Sequence, residues 1–71
     1  MTGNDFIKKV KARAKNKGVT SHVDKKRGKG SHVLLYYGNN KTTVRNPKDE
    51  LKKGTLHAMI KQLDLEPNDF Q

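Results

Sequence analysis

The sequence predicts an α+β domain of order α-β-β-β-α, in which a three-stranded antiparallel sheet carries two helices packed on one face. Three observations predict it. Apolar residues recur at helical spacing near both ends of the chain, at Phe6, Ile7, Val10 and Ala14 and again at Leu56, Met59, Ile60 and Leu63. Between them lie stretches of strand-forming sequence punctuated by Gly28-Lys29-Gly30 and Gly38-Asn39-Asn40. Those connections are too short for crossovers, so successive strands must pair antiparallel. With no internal repeat, low-complexity linker or second core, residues 1–71 read as a single domain.

Taken in order, residues 5–17 form the first helix. Asn4 is its expected N-cap, Asp5 complements the positive end, and Gly18 is the stop. Residues 19–26 alternate weakly through Val19, Ser21 and Val23 and form a first strand. Residues 31–37 are the strongest strand in the chain. Val33, Leu35 and Tyr37 share one face, and His32, Leu34 and Tyr36 the other, which favours Tyr37 for the core. Residues 41–45 form the third strand, ended by Pro47. Thr55 is the expected N-cap of a second helix running to Leu63. Glu66-Pro67 breaks it, and residues 67–70 form one further turn with Phe70 over the end of the core.

Composition narrows the functional classes. Only 31% of 71 residues are hydrophobic, which leaves no room for a cofactor pocket of several hundred cubic ångströms. Chemistry is therefore expected on a surface or in a shallow groove, with no cofactor. The absence of cysteine excludes disulfides, thiolate zinc sites and cysteine nucleophiles. No metal site is expected either, because no His-x-x-x-His or paired-Asp arrangement occurs. No apolar run approaches the roughly 18 residues that span a bilayer, and the N-terminus lacks an apolar signal segment. A cytoplasmic protein without membrane contact is the expectation.

Charge is the most informative bulk property. Sixteen Lys and Arg oppose seven Asp and Glu, for a net charge of +9. Asp64, Glu66 and Asp69 all lie beyond Gln62, so the body of the domain is more basic still. Such a surface points to a polyanion, and nucleic acid fits better than a membrane, since neither helix combines a wide apolar face with interfacial aromatics.

Several residues go further. The α-β-β-β-α order with a basic surface is the layout of double-stranded-RNA-binding domains. Within it, Gly30-Ser31-His32 opens the second strand, Glu50-Leu51-Lys52-Lys53-Gly54-Thr55-Leu56 leads into the last helix, and Ile60-Lys61-Gln62-Leu63 ends it. The tail Leu65-Glu66-Pro67-Asn68-Asp69-Phe70 follows. In order and spacing these segments resemble the HicA family of toxin ribonucleases over nearly the whole chain. The resemblance implies an mRNA interferase silenced by a HicB-type antitoxin, with His32 catalytic and Gly30 and Ser31 its motif neighbours. Members of that family often carry a second polar or histidine residue after the motif, whereas Val33 and Leu34 follow here.

The same residues can be read without the family. RNA carries its own nucleophile, because the 2′-OH attacks the adjacent phosphorus once a base takes its proton. The protein then needs a base, cations for the phosphorane charge and an acid for the 5′ oxygen. A neutral imidazole, titrating near pH ~6.5, suits the base. His32 follows a glycine turn containing Lys29, with Lys25, Lys26 and Arg27 just before it, so Lys26, Arg27, Lys29 and Ser31 are expected to hold RNA phosphate. Lys52, Lys53 and Thr55 at the second helix start form a second expected phosphate cradle, where free N–H groups and the dipole favour an anion. Lys29, Lys53 and His57 are all candidates for the acid. His22, on the weaker first strand, reads as a surface or RNA-contacting residue.

Two other classes compete. A catalytically silent double-stranded-RNA-binding module would use the same fold and charge. A DNA-binding regulator fares worst, because the second helix spends its apolar residues on the core and offers no base-reading set beyond Gln62.

Overall fold

A computed structural model describes residues 1–25 and 32–66. Helix α1 (Gly3–Lys17) is followed by β1 (Ser21–Asp24), β2 (Val33–Tyr37), β3 (Asn40–Val44) and helix α2 (Lys53–Gln62). The strands form one antiparallel sheet in the order β1-β2-β3, so the expected α-β-β-β-α fold is the observed one. The expected Gly28-Lys29-Gly30 turn and the turn at residues 67–70, with Phe70, lie outside the described residues.

The core forms where the helical and strand periodicities meet. Phe6, Val10 and Ala14 of α1 and Met59 and Ile60 of α2 are buried, as is Leu63 just after α2. They pack against Val33 and Leu35 of β2 and Val44 of β3, with Ile7, Val23, Tyr37 and Leu56 partly buried around them. Burying such side chains stabilises by about 1.5–3 kcal/mol each. Strand alternation then puts Leu34, Tyr36, Lys41 and Thr43 on the opposite, outer face. Tyr37 is thus the core-side tyrosine. Thr42 is the one buried polar residue of the described core. Its hydroxyl donates to Gln62 Oε1, so Gln62, the only base-reading candidate of α2, is engaged by the fold.

Gly18 ends α1 at φ 69°, and Gly38 at φ 58° closes the β2–β3 hairpin, both in the left-handed region that glycine enters without strain. Tyr37 pairs with Asn40 across the Gly38-Asn39 turn, so β3 begins one residue earlier than expected.

Both helix starts differ from expectation. The N-cap of α1 is Thr2, not Asn4. The Thr2 hydroxyl accepts from the Asp5 backbone N–H at 3.2 Å, and Asp5 Oδ2 accepts from the Thr2 N–H at 3.1 Å, a reciprocal capping box. Asn4 instead donates its backbone N–H to Pro47 O at 2.8 Å. Helix α2 starts at Lys53 with Lys52 as its N-cap, so Thr55 is the third helical residue rather than the cap. The cause is Leu51. Its N–H donates to Met1 O at 2.8 Å and its side chain packs against the core, which fixes the chain three residues sooner than a Thr55 cap would.

The capping box makes stability depend on acid pH. The Thr2 backbone N–H, then its side chain, hold the Asp5 carboxyl below its ordinary value of 3.8. A lowered folded-state pKa contributes stability that is present above the unfolded value and lost as pH falls through the folded one. Asp5→Asn is therefore expected to lower the melting temperature at neutral pH and to narrow its gap to wild type as pH drops below about 4. A constant gap from pH 7 to pH 3 in thermal melts would refute this.

Candidate functional site

His32 occupies the residue immediately before β2 and is half-buried. It was expected inside the strand, but the ladder begins one step later, at the Val33–Val44 pair. Val33 and Leu35, both buried, anchor the strand behind it. Continuing the alternation by one residue puts His32 on the outer face with Leu34 and Tyr36. The matching step on the neighbouring strand leads from Val44 to Arg45, so an imidazole and a guanidinium flank the open end of the β2–β3 ladder.

Of the expected phosphate-binding residues, Lys26, Arg27, Lys29 and Ser31 lie outside the described residues. Lys52, Lys53 and Thr55 are exposed at the start of α2. Lys52 makes no side-chain cap hydrogen bond, and no acid lies in the first turn. The positive end of the α2 dipole is therefore uncompensated by a helix carboxylate, and it faces solvent beside two ammonium groups. Lys52 and Thr55 line an open groove of about 900 Å³ between β3 and α2, together with Thr43, Arg45, Asn46 and Ala58. Asp49 and Glu50 line it too, which makes its loop end mixed in charge.

Arg45 thus belongs to both places. It follows the strand that carries Val44 opposite Val33, and it lines the groove that reaches the α2 start. Sequence reasoning gave Arg45 no role, although it sits two residues after Thr43 and shares the period-2 pattern of Lys41 and Thr43. The other missed feature is the pairing of His22 with Tyr36, whose rings lie with centroids 5.6 Å apart and planes inclined by 32°. His57 is exposed on α2. Among the described residues, no group of three or more His, Cys, Asp or Glu is placed to hold a metal ion.

Comparison with family models matches residues 7–65 to the HicA toxin of bacterial toxin-antitoxin systems. The chain belongs to the HicA toxin family. Curated proteins and solved structures yielded no match. The family match runs from Ile7, within α1, to Leu65, so it takes in every described strand, His32 and the whole of α2. Membership of HicA makes the protein the toxin half of a toxin–antitoxin pairing. Among the described residues, no helix is long and apolar enough to cross a membrane.

Proposed function

We propose that this HicA-family toxin is an endoribonuclease that cleaves mRNA without a metal ion, and that a HicB-type antitoxin silences it. The observation that carries this reading is the position of His32. It stands half-buried at the head of a strand whose next residue is locked into the core, the setting a positioned base requires. An imidazole there takes the proton of the substrate 2′-OH. The freed oxygen attacks the adjacent phosphorus, the P–O5′ bond breaks, and an acid returns a proton to the departing 5′ oxygen. The products are a 2′,3′-cyclic phosphate and a 5′-hydroxyl.

Charge gathers on phosphorus as the bond forms, and cations stabilise it. Arg45 opposite the His32 position, and Lys52 and Lys53 at the open end of α2, supply that charge in the described part of the fold. Lys26, Arg27 and Lys29 add to it by their closeness to His32 in the chain, and Ser31 offers a hydroxyl to phosphate. Thr55 offers a hydroxyl to phosphate in the groove. An acidic antitoxin surface would compete for the same cations.

The test is cleavage of single-stranded RNA by purified protein in EDTA. Products ending in 2′,3′-cyclic phosphate are expected, and a single 2′-deoxy substitution at the cleaved nucleotide should block scission there. Folded protein that binds RNA but never cuts it would make the chain a silent RNA-binding module instead.

A further inference from the structure

The outer face of the sheet carries a row that the reaction chemistry does not use. His22 pairs with Tyr36 across β1 and β2, and Tyr36 pairs with Lys41 across β2 and β3. One imidazole, one phenol ring and one ammonium therefore lie side by side across all three strands. The rings of His22 and Tyr36 are in contact at 5.6 Å. Both described helices pack on the other face, so this pair adds nothing to the core.

A second order runs along the strands. On β3 the outer-face residues Lys41 and Thr43 are exposed, and Arg45, the first residue past the strand, is exposed as well, so two cations and a hydroxyl follow one another along this edge. On β2 the matching column is Tyr36, Leu34 and the His32 position. Tyr36 and His32 are four residues apart, about 13 Å at the rise of an extended strand. That span exceeds one nucleotide step. Aromatic rings beside a line of cations are the arrangement that holds single-stranded nucleic acid, with bases stacked on rings and phosphates on the cations.

We infer that the outer sheet face is a single-stranded RNA track, in which a base stacks on the Tyr36–His22 pair while the phosphates follow Lys41, Thr43 and Arg45 toward His32. This rests on the ribonuclease reading above and adds to it a binding face and a binding register. Asp24 is the acidic residue of the described sheet on this face. It pairs with Leu34 on the β1 side, one strand removed from the β3 cations where phosphate would run. A duplex would not satisfy the site, because its bases are already stacked on one another.

The test measures binding of a short fluorescein-labelled single-stranded RNA to His32→Ala protein, in which cutting does not interfere. Tyr36→Leu in that background is expected to weaken binding about tenfold, and Tyr36→Phe, which keeps the ring, to bind as the parent does. Lys41→Ala should lower the slope of log K against log salt by about 0.7, whereas Tyr36→Leu should leave the slope unchanged. Affinity for a duplex of equal length should not respond to Tyr36→Leu. Unchanged single-strand affinity in folded Tyr36→Leu protein would overturn the track, as would an equal loss in Tyr36→Phe. Loss of binding to an acidic protein partner with RNA affinity intact would make this face a protein interface and would also overturn it. Tyr36-dependent binding by a wild-type protein that cuts nothing would sustain the track and sink the nuclease assignment, so the two can fail separately.

Discussion

Replacing His32 with alanine is expected to slow RNA cleavage about 10²–10⁴-fold, the usual contribution of a positioned general base. The fold should survive the change. His32 precedes the β2–β3 ladder, and none of the core contacts of Val33, Leu35 or Val44 passes through it. Salt-sensitive RNA binding should survive as well, because it rests on lysine and arginine contacts to phosphate rather than on the imidazole. The discriminating result is therefore a loss of rate with melting temperature and RNA affinity little altered. In cells, induced expression should arrest growth and the alanine variant should relieve the arrest. Cleavage by His32→Ala at the wild-type rate would remove this residue from the chemistry.

The second large effect is expected at Gly3, where two rules of thumb point in opposite directions. Inside a helix, glycine is normally worse than alanine by roughly 0.5–1 kcal/mol. Yet a Cβ at Gly3 would fall 2.7 Å from Pro47 Cα and 2.7 Å from Val44 Cγ1. The valine can turn, but the proline contact is backbone, and moving it means moving the loop that leads into α2. Overpacking of this kind costs about 1–3 kcal/mol, a large share of the ~3–5 kcal/mol a core this small supplies. Gly3→Ala should thus depress the melting temperature by several degrees, at about 4–8 °C per kcal/mol. Gly54 is the control, since a Cβ there meets nothing within 4 Å. Gly54→Ala should be neutral or stabilising in the same thermal melts. A Gly3→Ala protein as stable as wild type would show that the close approach to Pro47 is not required.

Much of this was legible from local pattern. The stripes Phe6-Val10-Ala14 and Met59-Ile60-Leu63, the Gly38-Asn39 turn and the inward Tyr37 all follow from residues only a few positions apart. What the sequence concealed depends on distant neighbours. Thr2 rather than Asn4 caps α1, because residues near Pro47 bond the start of the chain. The Thr2–Asp5 spacing was nevertheless a usable signal. The early start of α2 at Lys53 depends on Leu51 reaching Met1. The contact of His22 with Tyr36, and the place of Arg45 next to the Val33–Val44 pair and so near His32, require the strand register, and no local periodicity supplies that.

The joining of the chain's first residues to the loop before α2 also governs when the domain can become whole. Thr2 bridges to Glu50, Gly3 N–H donates to Asp49 O, and Leu51 N–H donates to Met1 O. On a ribosome the beginning of α1 emerges long before any of those partners exists. Its capping box can form locally, but its seat is missing until residues 46–51 have been made. The lysines that open α2 follow immediately in synthesis. A nascent chain therefore acquires the seat of its first helix, and with it the basic start of α2, only after residues 46–53 have been made.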